Sequence, residues 1–178
     1  GVIAVGDEPN ADWESVVDAL ADGSREIVVL TGDDTEATKT FEAHPAVDHV
    51  FAEVPPQAKA ETIRRLQSGG RVAMIGDGSN DAPALAAADL GIALATGTKL
   101  ATDAGDVIVV DGDLAAVPTL FTIAKNTKRR IRQNLGWAFF YNAVAIPLAV
   151  FGLLNPLFAA LAMGASSLLV VANSTLRS

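Results

Sequence analysis

The sequence predicts an α/β domain on a doubly wound, mostly parallel sheet, followed by an α-helical transmembrane hairpin. Three observations carry this. Short apolar runs alternate with helix-length segments from Val2 to Val110, the pattern of strands joined by right-handed helical crossovers. An acidic glycine loop, Gly76-Asp77-Gly78-Ser79-Asn80-Asp81, ends one apolar run and opens an alanine-rich segment; open α/β sheets bind ligands at such strand ends. Residues 133–176 contain no Asp, Glu, Lys or Arg, a length that suits two membrane helices of about 20 residues each.

The elements follow in order. Val2–Val5 is a strand, and Pro9-Asn10 opens a helix over 11–21 with Trp13, Val16, Val17 and Leu20 on its core face. Glu26–Leu30 is the next strand, ending in Thr31-Gly32-Asp33, after which Asp33 or Asp34 caps a short helix to Ala43. His44 and His49 flank a polar connector. Two histidines five apart can hold a metal, but with only two candidate ligands of this type and no cysteine, surface or capping roles are the plainer reading. Asp48–Ala52 is a strand, and Pro55-Pro56 starts a helix to Gln67. Arg71–Ile75 is the strand before the loop. Helix 82–88, strand Leu90–Leu94, a short helix 98–103 and strand Asp106–Val110 complete the sheet, and Asp111-Gly112-Asp113 turns the chain into a helix near Leu114.

Charge sets the domain boundaries. All 21 acidic residues lie at or before Asp113, against seven basic ones in residues 1–124, a net −14; residues 125–178 carry six cations and no acid. The division is a domain over 1–113, a basic linker helix over 114–132, and a hairpin over 133–178 with helices at about 133–154 and 157–176. An acidic domain excludes nucleic acid as its partner, because phosphate binding needs a positive surface. Without cysteine there is no disulfide and no thiolate metal site within the chain. The acid excess with few lysines matches adaptation to high salt. No leader peptide is visible, and the abrupt start in strand-like sequence is that of a fragment or split gene product.

The loop carries the chemistry. Asp77 falls at the carboxyl end of a strand and Asp81 four residues later, near a helix start, so two carboxylates converge. Such oxygen ligands suit Mg²⁺, which leaves its other positions to water and phosphate. An Asx-rich turn with Asp81 capping the helix is the plainer alternative. Thr31-Gly32 at another strand end is a natural anion site or an ordinary turn, and Lys59, one turn into its helix beside the positive end of the dipole, either meets an anion or is solvated.

In the hairpin, cations on both flanks put residues 1–132 and the C-terminus on the cytoplasmic side and the Asn155-Pro156 turn outside, with Trp137 as an interfacial anchor. Polar residues inside a membrane are costly and so are functional candidates: Tyr141-Asn142 in the first helix, Met163, Ser166 and Ser167 on one face of the second. A thioether suits Cu(I), although methionine and serine also serve packing.

The string GDGSNDAPALAAADLGIA resembles the hinge segment of P-type ATPases, ion pumps whose phosphorylation domain is haloacid-dehalogenase-like, and it is most similar to the heavy-metal branch. The resemblance implies that Asp77 binds Mg²⁺, that Asn80 approaches the phosphoryl group and that Asp81 supports the cofactor site by hydrogen bonding. Thr31 and Gly32 would hold an aspartyl phosphate, and Lys59 would neutralise it. Ser79 replaces an aliphatic residue, and VPPQAK replaces the family's LPEDK-like run. WAFFYNAVAIPLA and MGASSLLVVANSTLR resemble the last two membrane helices of copper-transporting members, which implies a Cu(I) site of Tyr141, Asn142, Met163 and Ser167; zinc, cadmium and lead pumps carry charged residues there, and this chain has none.

The family's phosphorylated Asp in DKTGT, its nucleotide-binding domain, its actuator domain with TGE and its CPC metal ligands are not in these residues. The resemblance therefore implies the C-terminal portion of an ATP-driven Cu(I) exporter. Its cofactors would be Mg²⁺ and ATP, the latter held mainly by a domain outside this chain. Its partners would be the lipid bilayer, the remainder of the pump and Cu(I), its location the prokaryotic cell membrane, and the isolated chain would be inactive. A membrane-anchored binding or regulatory module, and a membrane-anchored haloacid-dehalogenase-type phosphatase, are the alternatives.

Overall fold

The computed structural model describes residues 2–5, 12–21, 25–34, 38–77, 79–94, 103–153 and 155–175. It divides into two compact units, Gly1–Leu120 and Phe121–Ser178. In the first, six strands form one sheet: β1 (Val2–Val5), β2 (Glu26–Leu30), β3 (His49–Phe51), β4 (Val72–Gly76), β5 (Leu90–Leu94) and β6 (Val107–Val109). Their order is β3-β2-β1-β4-β5-β6 and every pairing is parallel. Helices α1 (Trp13–Leu20), α2 (Lys39–Glu42), α3 (Pro56–Leu66) and α4 (Ala82–Ala87) connect them. The strand order reverses between β1 and β4, the topological switch point at which doubly wound sheets bind ligands, and β4 leads into Asp77.

Strands covered on both faces read as continuous apolar runs. Accordingly Ile27 to Leu30 of β2 and Gly91 to Leu94 of β5 are wholly buried. One face of the sheet packs Val28, Leu30, Val72, Met74 and Ala93 against Ile63 of α3 and Ala84 and Leu85 of α4. Gly91 permits the close approach of α4: a β-carbon there would lie 2.7 Å from the Leu85 carbonyl oxygen. Trp13 is core, as its spacing predicts, edge-on to Phe41 and His44.

Three aspartates that directly precede strands repeat one device. Asp48, Asp89 and Asp106 each donate a backbone N–H to the carbonyl of Ile27, Val72 and Gly91 respectively. Each also accepts that residue's own N–H on a carboxylate oxygen, at 2.7, 2.9 and 2.8 Å. The pairs fix register at the amino ends of neighbouring strands. For Asp89 the Val72 N–H, reinforced by the Gln67 side chain, holds the carboxyl below its ordinary value. A depressed folded-state pKa contributes stability that is full above the unfolded value of about 3.9 and is lost as pH falls through the folded value. Acid titration of unfolding should therefore show Asp89→Asn less stable than the parent at pH 7 and the difference shrinking below pH ~4.

Some elements differ from the sequence expectation. Of the helix expected from Asp33 or Asp34 to Ala43 the described residues show α2, and the Asp33 carboxylate accepts the Thr31 hydroxyl; residues 35–37 lie outside the described residues. The helix expected at 98–103 lies largely outside them too. After β6, Asp111 (φ 70°) and Gly112 (φ 65°) make the expected turn, and the Asp113 carboxylate accepts the Ala115 N–H.

The linker helix and the first hairpin helix are one. Helix α5 runs unbroken from Ala116 to Val150, 35 residues, because nothing before Pro147 interrupts it; it ends four residues short of the expected 154. The turn then proceeds through Gly152 at φ 70°. Asn155 caps α6 (Pro156–Thr175) by accepting the Leu157 N–H, as the Asn-Pro pair predicts. At the other end Asn134 donates to Ser174 Oγ (3.0 Å) and accepts from Asn173 (2.9 Å), and Arg130 donates to the Ser174 carbonyl (3.3 Å) at the negative end of α6. Among the described residues no helix is both long and apolar enough to cross a membrane. Gln133, Asn134, Tyr141 and Asn142 dilute the apolar part of α5.

Candidate functional site

Two strand ends flank β1 at the carboxyl edge of the sheet. Thr31 and Gly32 follow β2, and Asp77 follows β4. With β1 between them, these ends stand two strand spacings apart, roughly 10 Å, a width that suits a phosphate-sized group.

Behind the Asp77 end lies a buried ion pair. Pro55-Pro56 starts α3, and its face of Lys59, Ala60 and Ile63 turns inward. Lys59 Nζ donates to Asp81 Oδ1 at 2.9 Å, with Lys59 2% and Asp81 0% exposed. The lysine is thus not solvated, and Asp81, although it precedes α4, makes no side-chain cap. Gly76 makes room for this carboxylate: a β-carbon at Gly76 would lie 2.9 Å from Asp81 Oδ2. That oxygen is buried without a hydrogen-bond partner among the described residues. Removing two charges from water costs several kcal/mol per ion, offset only when both partners are present and well placed. The pair therefore fixes where the α3 cation and the loop after β4 sit.

The other expected residues are positioned as follows. Asp77 is half-buried and Asn80 exposed; Gly78 and the Ser79 side chain lie outside the described residues. Thr31 is 2% exposed. Its hydroxyl donates to Asp33 Oδ2 (2.8 Å) and accepts the Asp33 N–H (3.1 Å), while Gly32 is exposed. The strand end is thus held by a local Thr31–Asp33 turn that the spacing did not announce. Against a Mg²⁺ ion these groups fit unequally. Asp77 is the more accessible carboxylate, whereas Asp81 is enclosed and holds Lys59. Mg²⁺ commonly takes one protein carboxylate with phosphate and water oxygens, which one accessible Asp77 satisfies.

His44 packs on Trp13 and accepts the Ala46 N–H, whereas His49 pairs with Glu26 at 3.0 Å. The two histidines are not brought together, and no group of three His, Cys, Asp or Glu that could hold a metal occurs among the described residues. In the hairpin Tyr141 donates to the Ala159 carbonyl (3.4 Å) and with Ser166 lines an apolar groove between α5 and α6 of about 500 Å³. Asn142, Met163 and Ser167 are exposed and do not line it, so the helices as they stand do not gather the four expected metal residues. The register aspartates were missed at the sequence level; their common place directly before β3, β5 and β6 is the signal that marks them.

Residues 1–89 match the sequence family described as haloacid dehalogenase-like hydrolase. The chain belongs to the haloacid dehalogenase-like hydrolases. Among curated relatives of this haloacid dehalogenase-like chain, the probable copper-exporting P-type ATPase V of Mycobacterium tuberculosis is 47% identical over 175 residues, covering 98% of this chain and 23% of the relative. The copper-exporting P-type ATPase of Staphylococcus epidermidis is 45% identical, covering 98% and 22%. The chain thus spans less than a quarter of the length of these relatives. Among solved structures, a zinc-transporting PIB-type ATPase in its E2.Pi state matches 94% of this chain and 28% of its own, with TM-score 0.84 and 29% identity.

Proposed function

We propose that this chain is the C-terminal portion of an ATP-driven heavy-metal exporter of the P-type, with Cu(I) as its cargo. The observation that carries the proposal is the likeness to copper-exporting P-type ATPases, 45–47% identical across 98% of the chain. That extent includes most of the second unit as well as the sheet domain. In this reading the first unit is the Mg²⁺- and phosphate-binding half of the phosphorylation domain, and the phosphorylated aspartate comes from the rest of the pump.

Asp77 would hold Mg²⁺, which supplies positive charge to phosphoryl oxygens and orients them. Lys59, aimed by Asp81, sets a second positive charge behind the loop, so charge on a transferring phosphoryl group would meet preorganised cations. Thr31 and Gly32 at the β2 end and Asn80 after β4 bound the group from both sides of β1. ATP is held mainly by a domain outside this chain.

Helices α5 and α6 form the last membrane hairpin in this reading, with residues 1–132 and the C-terminus cytoplasmic and the cell membrane as the location. Supporting it are the uncharged run 133–176, the exposed apolar side chains outside the groove such as Phe139, Leu161 and Leu168, and the length of α6, about 30 Å, which matches the bilayer core. Exposed apolar surface on this scale marks a membrane or protein contact. Tyr141, Asn142, Met163 and Ser167 contribute to the Cu(I) path, completed by other helices of the pump.

The zinc-transporting structural neighbour favours zinc as a second reading. Against it, Zn²⁺ takes His, Cys or carboxylate ligands, and residues 133–176 offer none, whereas Met163 is a soft donor suited to Cu(I). Since the chain contains no DKTGT, the 178 residues alone are expected to hydrolyse neither ATP nor a simple phosphate ester, read as phosphate release with Mg²⁺. Robust release that Asp77→Asn abolishes would instead favour a self-contained phosphatase.

A further inference from the structure

The cations of α5 do not form an even collar. At about 100° per residue, Lys125, Lys128, Arg129 and Arg132 share one face at spacings of three, four and seven, flanked by Asn126 and Gln133 in one shallow groove. All four are exposed, and none makes an ion pair among the described residues. Arg130 is set apart: it is half-buried, and its guanidinium donates to the Ser174 carbonyl at the end of α6. One cation thus closes the hairpin while four are left together on a face turned elsewhere. They span about 10 Å along the axis, on the order of the headgroup layer. The uncharged run begins directly after Arg132 and Trp137 follows within two turns.

We propose that this face is a binding site for anionic phospholipid headgroups of the cytoplasmic leaflet, so that α5 selects phosphatidylglycerol-type lipid around the hairpin. The proposal rests on the membrane-hairpin reading. Four clustered cations beside a membrane attract anionic headgroups, on the order of fivefold in partition per cation. Fork-shaped guanidinium groups add bidentate phosphate contacts. A merely solvated face would show no preference among lipids beyond general screening.

The test reconstitutes the whole chain into phosphatidylcholine liposomes containing brominated phosphatidylglycerol or brominated phosphatidylcholine and reads the quenching of Trp137, with Trp13 in the sheet domain as background. Wild type should prefer phosphatidylglycerol at least about threefold at low salt, falling toward parity as roughly 0.5 M NaCl screens the charges. The variant K125Q/K128Q/R129Q/R132Q should show no preference while brominated phosphatidylcholine still quenches Trp137, a sign that the hairpin remains inserted. Equal quenching by both lipids in wild type, preference retained in the variant, or preference abolished by inorganic phosphate at an ionic strength where NaCl leaves it intact would overturn the proposal and leave the hairpin reading standing. Absence of quenching by either lipid would sink the hairpin reading and this inference with it.

Discussion

Asp81→Asn is expected to lower the unfolding free energy of the sheet domain by about 3–5 kcal/mol, the scale on which breaking a buried ion pair from one side destabilises a fold. Lys59 would be left at 2% exposure opposite a neutral amide. Lys59→Met should cost a similar amount for the mirror reason. Combining Lys59→Met with Asp81→Leu should recover most of the loss, because a buried ion pair is often replaced by apolar residues at little net cost. Urea unfolding of the four proteins measures this. A single-mutant cost under about 1 kcal/mol, the range of exposed pairs, would contradict the buried geometry.

Asp77→Asn is expected to act in the opposite way, leaving stability close to the parent and removing activity. Asp77 is half-buried at a strand end rather than enclosed, so its amide should be tolerated. In the intact pump the same change should lower ATP hydrolysis by about a hundredfold or more, the scale on which a charge-stabilising group at a reacting centre acts, and should raise the Mg²⁺ concentration needed for what remains. Steady-state hydrolysis against Mg²⁺ concentration reads both effects. Together the two variants separate the carboxylate that would hold the ion from the one that holds the lysine, which the spacing of the loop alone does not distinguish.

How far the sequence speaks can be judged from particular residues. Strands such as Ile27–Leu30 and Gly91–Leu94 are legible because a parallel strand buried on both faces must be apolar throughout. The turn at Asn155-Pro156 and the helix face of Trp13 follow from local chemistry in the same way. Lys59 is not legible: its position allows a solvated side chain, and only the fold brings it to Asp81, 22 residues away. The commitment of Thr31 to Asp33 depends on backbone geometry that a Thr-Gly-Asp string leaves open. The continuity of α5 across Arg132 is not legible from the change of charge there, because neither charge nor apolarity interrupts helical hydrogen bonding. The four residues expected at a hairpin metal site are not gathered in one place, since Tyr141 lines the groove and Met163 does not.

The measurement that bears most directly on the proposed role is metal-stimulated ATP hydrolysis by the full-length protein in native-like membranes, with Cu(I) held reduced and compared with Zn²⁺, for the parent and for Met163→Leu. The account predicts stimulation by Cu(I) and not by Zn²⁺, with the Cu(I) response weakened in Met163→Leu. Stimulation by Zn²⁺ alone, or a Cu(I) response unchanged in Met163→Leu, would contradict it.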